Sequence, residues 1–446
     1  MYGCQQVLLH PHKETKAVLE FICSEVNKLT NCGIYYGRQL YFKTQRFIGK
    51  YTLDKELKSN WHFKALRANV AQQALHKIYD SFKGYQALIK KWWAGELDNK
   101  PRLPNYRKKG GLEVAVYPAR FVKCLGNKIR LGLGRQVKAW FGLDNITIPL
   151  PSNLDFKKIK EIRILPRNNC FYAEFVYKIN PTKAVVNYGN ALGIDPGLNN
   201  WLTCVSTTGK SFIIDGKKVK SQNQWYHKRI AALKKGKNQD YWDSELGLIT
   251  EKRDCFVPRN QMRDAINKAA RFIINWCFKN DVGVIVFGWN KRNKDSINIG
   301  QKNNQELVMI PTARLKDRIA QLATQYGLKF IETEESYTSK ASFLDQDFLP
   351  KFGEKPNQWK PSGKRGKKGD GLGRGQYQTE KGAKINSDCN GAANILRKVS
   401  SQLKLSLVKV RRAVLSMPKR YDLTNLSKSY RKQSEERGFN PLRTTA

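Results

Sequence analysis

Eighty-one lysines and arginines stand against only 37 aspartates and glutamates in this 446-residue chain, a formal charge of +44. Like charge at that density pushes a compact chain apart unless something outside it supplies counter-charge. A long polyanion does so most completely, because its phosphates accept many cations and release their own counterions. The charge therefore predicts a nucleic-acid-binding protein, folded so as to keep broad basic surfaces open. An anionic membrane is the competing sink, but no apolar run of about 18 residues marks a spanning helix, and no membrane partner is expected.

The length predicts two or more structural units. The nine cysteines (Cys4, Cys23, Cys32, Cys124, Cys170, Cys204, Cys255, Cys277 and Cys389) are scattered, odd in number and free of any C-x-x-C pair. Neither a disulfide framework nor a zinc ribbon is written in that spacing. No cationic segment, apolar core and cleavage site follow one another at the N-terminus, so a reduced, cytoplasmic protein is expected.

Along the chain, residues 4–10 read as a strand, and Val18, Leu19, Ile22, Val26 and Leu29 then recur at helical spacing. A second helical face runs through Leu66, Val70, Ile78, Phe82 and Ile89, with Lys64, Arg67, Lys77, Lys83, Lys90 and Lys91 around it. Prolines and glycines break the helix at 98–111, and short β-branched segments beyond it predict antiparallel strands of a small barrel or sheet. From about 191 strands and helices alternate, which predicts a layered sheet with helices on its faces. Residues 351–384 are rich in Gly and Lys, readable as a mobile loop or as a nucleic-acid contact, and the tail from 401 reads as basic and partly disordered.

Two aspartates stand out. Asp195 closes an apolar strand just before Pro196 and Gly197, and Asp388 sits where a loop becomes a helix. Singly, each is more often a turn or cap residue. Together they suit metal-assisted phosphodiester cleavage, where carboxylates from distant segments converge on two divalent ions about 3.5–4 Å apart. Oxygen ligands of this kind select Mg²⁺ or Mn²⁺.

The segment LGIDPGLNNWLTC resembles the first RuvC motif of the TnpB family of transposon-encoded RNA-guided nucleases. SDCNGAANILRK resembles its third motif, and ESYTSK the segment after its second, in the same order. The resemblance extends over about 5–400, including the N-terminal helices and the LPNYRKK linker. It implies an α+β multidomain protein: a β-barrel wedge domain (1–10 and 110–185) with an inserted helical recognition domain (11–109), then a ribonuclease H-like (RuvC) α/β nuclease domain (190–400) and a basic tail (401–446). Type V CRISPR effectors share this plan. It further implies a protein, monomeric in its complex, that binds a guide RNA from its own mobile element. That guide pairs with target double-stranded DNA while the protein reads a short adjacent motif.

Two departures from the family matter. Its second motif ends a strand with glutamate, as in I-V-I-E-D-L-N, whereas here Val284-Ile285-Val286-Phe287-Gly288-Trp289-Asn290 puts Phe287 or Gly288 in that place. The following strand delivers Glu332, Glu334 and Glu335 just ahead of Ser336. Some family members with a similar second motif are thought to use such an alternative glutamate. Glu335 is the expected third catalytic and metal-binding carboxylate beside Asp195 and Asp388, and Glu334 is the second choice. Without such a substitute the chain would be a nuclease-inactive RNA-guided repressor. The second departure is the zinc ribbon of many relatives: 341–387 holds a basic insert without cysteine, so no zinc is expected. For nucleic-acid contacts the candidates are Arg102, Tyr106, Arg107, Lys108 and Lys109, and also Lys291, Arg292 and Lys294. Trp92, Trp93 and Trp225 are read as core aromatics rather than base-stacking platforms.

Overall fold

The computed structural model describes residues 2–167, 170–181, 185–235, 261–290, 310–367, 369, 371–373, 375–423 and 426. The chain divides into two compact units, 1–179 and 180–446, and it is a mixed α+β protein with several sheets.

In the first unit, β1 (Tyr2–Leu9) pairs antiparallel with β7 (Cys170–Lys178), which closes a long sequence gap. Between them run α1 (Lys13–Thr44), α2 (Lys50–Leu57), α3 (Trp61–Ala65) and α4 (Ala68–Trp93). Then come β2 (Ala115–Pro118), β3 (Lys123–Leu125), β4 (Lys128–Gly132), α5 (Arg135–Phe141), β5 (Asn145–Pro149) and β6 (Ile159–Arg167). The strands form two sheets, ordered β1-β7-β6-β2 and β3-β4-β5. The apolar stripes read from the sequence on α1 and α4 bury Val18, Ile22, Leu29, Val70, Ile78 and Phe82 in one core with those sheets.

The second unit is built on six strands ordered β12-β11-β8-β9-β10-β16. Strand β8 (Ala191–Pro196) turns back into β9 (Asn200–Ser206) and β10 (Lys210–Asp215) as an antiparallel meander. On its other side β8 pairs parallel with β11 (Val284–Gly288), and β11 with β12 (Lys329–Thr333). After β10 come α6 (Lys217–Lys234) and α7 (Gln261–Lys279), and α8 (Thr312–Gln325) precedes β12. The two-residue period of the strands sorts side chains by face. Leu192, Ile194, Ile285 and Phe287 pack with α7 and α8. Ala191, Val284 and Val286 pack instead with α9 (Ser387–Leu403).

Helix α9 lies unusually close to the sheet because glycines face it. A Cβ on Gly193 would stand 2.6 Å from the carbonyl oxygen of Ala392 and 2.6 Å from Leu396 Cγ, and one on Gly288 would stand 2.5 Å from Ile395 Cδ1. Only glycine permits that approach.

The basic insert and part of the tail depart from the sequence reading. Residues 364–386 carry a small antiparallel sheet, β13 (Lys364–Arg365), β14 (Gln376–Gln378) and β15 (Lys384–Asn386), with Tyr377 fully buried. Its anchor is Asp345: one carboxylate oxygen accepts from Ser342 Oγ (2.6 Å), Ser362 Oγ (3.1 Å) and the Glu380 amide (2.9 Å). Hydrogen bonds hold the segment where cysteines and zinc were absent from the sequence. Beyond 401, α10 (Arg412–Ser416) and β16 (Lys419–Tyr421) join the unit, β16 pairing parallel with β10. Leu405, Val410 and Leu415 are buried, but they are spaced among lysines and arginines with no helical or strand period, so the sequence disguised them. No described helix is long and apolar enough to cross a membrane.

Two outcomes follow from this packing. Gly193→Ala should destabilise the second unit by about 1–3 kcal/mol, read by denaturant unfolding. Asp345 has its pKa held low: burial opposes ionisation, but the hydrogen bonds from Ser342, Glu380 and Ser362 outweigh it. A carboxylate depressed in the native state stabilises above its unfolded value of about 3.9 and loses that contribution as pH falls through the folded value. Asp345→Asn should therefore cost about 1–3 kcal/mol at pH 7, and the gap from wild type should shrink in unfolding curves recorded toward pH 3.

Candidate active site

Asp195 is the penultimate residue of β8, and two-residue alternation with Ala191 and Gly193 places it on the α9 face. Its antiparallel partner on β9 is Thr203, whose buried hydroxyl makes no hydrogen bond. From the helix side, a Cβ on Gly391 would stand 2.5 Å from Asp195 Oδ2, so a second glycine admits the carboxylate against the first turns of α9. Burial pushes the Asp195 carboxyl well up, and Glu335 and then Asp388 push it further; Arg365 works in the other direction. Glu335 and Asp388 thus both act on Asp195 at the carboxyl end of β8.

Asp388 belongs to the first turn of α9. It does not cap that helix. Asn386 does, its side-chain oxygen accepting from the amides of Asp388 (3.1 Å) and Cys389 (3.0 Å). The Asp388 carboxylate instead receives Asn200 Nδ2 at 2.7 Å on one oxygen and an Arg365 guanidinium nitrogen at 2.8 Å on the other.

The three glutamates after β11 separate cleanly by face. Glu332 aligns with Phe287 in the β11–β12 pairing and reaches Lys316 of α8 at 2.6 Å, on the side of the sheet away from α9. Glu334 is held by Lys398 of α9; burial disfavours its charge, but the bond from Lys398 more than offsets this and its pKa lies below the usual range. Glu335 faces the cluster. Its Oε2 lies 3.3 Å from where a Gly288 Cβ would be, so the vacancy left by glycine in the second-motif strand is where this carboxylate arrives. Phe287 points the other way, into the core under α7 and α8.

Several residues with no assigned role in the sequence reading hold Glu335 there. Asn290 Oδ1 accepts from its amide at 3.0 Å, and Thr338 Oγ1 donates to its carbonyl at 2.8 Å. Tyr337 is in the left-handed region (φ 64°), which makes the turn. Behind it, Asn394 donates to the carbonyls of Thr338 (2.9 Å) and Ala341 (2.8 Å), while Asn390 donates to Ala341 (2.8 Å) and accepts from the Phe343 amide (2.9 Å). Both asparagines are completely buried. Two amides at i and i+4 on the apolar face of a helix were a legible signal: buried polar groups need partners. Nothing in the sequence pointed to Asn200 or Arg365.

The donors of Asp195, Glu335 and Asp388 are all carboxylate oxygens, a set that suits a hard divalent cation. Among the described residues, no three His, Cys, Asp or Glu side chains already close into a metal-binding group. Arg365 holds one oxygen of Asp388 instead.

The basic candidates lie elsewhere. Arg102, Tyr106, Arg107, Lys108 and Lys109 form an exposed strap in the first unit. Asn31 of α1 grips it from both sides, accepting from the Arg107 amide (2.7 Å) and donating to the Arg107 carbonyl (3.2 Å). Arg38 lies over the Tyr106 ring at 5.4 Å. Arg102 and Arg107 border a cavity of about 320 Å³ against α1 and α4. Lys291, Arg292 and Lys294 lie outside the described residues. Trp93 and Trp225 are 69% and 43% exposed, which corrects their reading as core. Trp92 is half-buried, with Lys100 5.1 Å from its ring.

Residues 174–294 match the OrfB_IS605 family, described as a probable transposase. The TnpB-like protein ORF457 of Acidianus two-tailed virus is 26% identical over 213 residues, 46% of this chain and 41% of that protein. The match therefore spans less than half the length of that relative. Among solved structures, the Cas12f1–sgRNA–target DNA complex has the same fold at a TM-score of 0.55 and 16% identity, covering 86% of this chain and 83% of that chain. The resemblance to TnpB proteins drawn from three short motifs thus holds.

The charge cluster has a measurable cost. A carboxylate whose native pKa is raised carries no penalty below about 3.9, where both states are protonated, and destabilises increasingly as pH climbs toward the folded value. In chelator at pH 7, Asp195→Asn should raise the unfolding midpoint by about 2–4 °C or more, with the gain disappearing near pH 3 in the same thermal scans.

Proposed function

On the premise that this chain is a relative of the TnpB-like proteins, we propose that it is an RNA-guided DNA endonuclease whose nuclease centre consists of Asp195, Glu335 and Asp388. The observation that carries this reading is the arrival of Glu335 in the space beside Gly288, on the same sheet face as Asp195 and the first turn of α9. In this reading the second unit is the ribonuclease H-like RuvC domain and the first combines the wedge and recognition functions. The exposed strap at 102–109 tracks a nucleic-acid backbone, with arginine and lysine supplying phosphate contacts.

The three carboxylates would hold Mg²⁺ or Mn²⁺. Bound there, such ions supply activation of the attacking water and neutralisation of the leaving oxygen. The chain's own residues set the stage for that chemistry. Packing of Asp195 against Gly391 limits the water that can screen its carboxylate. The Asn290, Thr338, Asn390 and Asn394 bonds hold Glu335 on a rigid turn, so no ordering is needed during reaction. Arg365 neutralises Asp388 before DNA arrives and is placed to meet a phosphate once displaced. A guide RNA from the same mobile element would choose the target by base pairing, with the protein reading the adjacent motif.

The test is cleavage in Mg²⁺ of a guide-matched plasmid flanked by a randomised motif, using protein purified with RNA from its own locus. Asp195→Ala and Glu335→Ala should each lower the rate about a thousandfold or more, while Glu334→Gln and Glu332→Gln retain most of it. Cutting that survives Glu335→Ala would sink the glutamate assignment. Guide-dependent binding without cutting under any condition would instead identify an RNA-guided repressor.

A further inference from the structure

The Asp388 carboxylate sits at one end of a chain of polar contacts that reaches β16, the last strand among the described residues. Asn200, at the start of β9, donates from Nδ2 to Asp388 Oδ2 at 2.7 Å. Its other amide atom, Oδ1, accepts from Arg420 Nη1 at 3.1 Å. Arg420 lies on β16, paired beside β10, and its guanidinium also faces the half-buried Asp215 carboxylate at 4.0 Å. Asp215 itself is anchored by the Lys217 amide at 2.6 Å. These residues come from four segments, at 200, 215, 388 and 420, and none belongs to the apolar packing of the unit.

An asparagine amide has one donating and one accepting end, and nothing intrinsic decides which way it points. Here Arg420 decides. A guanidinium has only donors, so it fixes Oδ1 toward itself and leaves Nδ2 for Asp388. The reversed amide would set N–H against guanidinium and oxygen against carboxylate, two repulsions in place of two bonds. Asp215 holds the guanidinium in turn, so the order acid, base, amide, acid has one consistent arrangement.

We propose that Asn200 and Arg420 are positioning residues: Arg420 orients the Asn200 amide, and that amide orients the Asp388 carboxylate for a divalent cation. The C-terminal strand β16, beyond the third motif, thereby completes the site. This rests on the reading of Asp195, Glu335 and Asp388 as a metal centre. Groups behind a metal ligand set its orientation and basicity, and losing one typically costs about 10–100-fold in affinity. Asn200 suits the role better than a second cation would. It fixes the carboxylate through one oxygen without neutralising it, and Arg365 on the other oxygen remains the exchangeable partner.

The test is Mn²⁺ binding to the full-length chain freed of nucleic acid, read by loss of the free-ion electron paramagnetic resonance signal. Asn200→Ala and Arg420→Gln should each weaken Mn²⁺ binding about tenfold, and the double substitution should be no weaker than Asn200→Ala alone, because Arg420 acts through the amide. Arg420 is 55% exposed on its side chain, so the fold should survive; unfolding midpoints within a few degrees of wild type would verify that. Should Asn200→Ala prove unstable, Asn200→Leu replaces it and should weaken binding by a similar factor, since it removes the amide without adding charge. Additive effects of the two substitutions would overturn the relay, as would unchanged Mn²⁺ affinity in both while Asp195→Ala abolishes binding. Binding that survives Asp195→Ala would remove the metal centre itself, and the relay with it.

Discussion

The close seat of α9 on the sheet is the constraint on which the second unit depends. Gly193 and Gly288 strip the sheet face of side chains, and Gly391 strips the helix where Asp195 comes through. Backbone can then approach backbone, and Ile395 and Leu396 pack with Val284 and Val286 beside the crowded carboxylates. Mutual repulsion would drive Asp195, Glu335 and Asp388 apart in a looser structure. Here each is carried on a different rigid element, so they have nowhere to go. Such stored cost is characteristic of sites whose pKa values are displaced by burial and like charge.

Around that acidic point the chain arranges cations and amides at graded distance. Arg365 meets Asp388 directly, and Lys398 takes Glu334 out of contention on α9 just as Lys316 takes Glu332 on α8. Glu335, chemically identical to those two glutamates, instead turns toward the space beside Gly288 and acts on Asp195. The setting is a protein of net charge +44, in which a few clustered carboxylates lie within a field that draws in polyanions. That contrast is what a metal-assisted nuclease needs: affinity for the phosphate backbone everywhere and a local demand for cations at one place.

Much of this was legible in the sequence. The stripes of α1 and α4, the alternation of strands and helices from 191, and Asp195 at the end of β8 all follow from short-range pattern, which survives in any fold that buries them. What escaped were contacts without local pattern. Tyr377 and the Asp345 hydrogen bonds turn a Gly/Lys-rich insert into a small sheet, and Leu405, Val410 and Leu415 fold a basic tail back onto the unit. Composition averaged over such a stretch reads as disorder, because one or two anchoring residues decide its fate.

The sequence by itself determined a chain of net charge +44, two aspartates in strand-end and helix-start positions, and three candidate glutamates for a place where the second motif has none. Side-chain alternation along β12 and the turn after it sends the three glutamates to different places, Glu332 to Lys316, Glu334 to Lys398 and Glu335 toward Asp195. Only the tertiary structure could bring Asn200, Arg365 and Arg420 to Asp388. Hydrogen bonds of that reach depend on where distant strands end in space, and a pattern confined to neighbours along the chain carries no record of it.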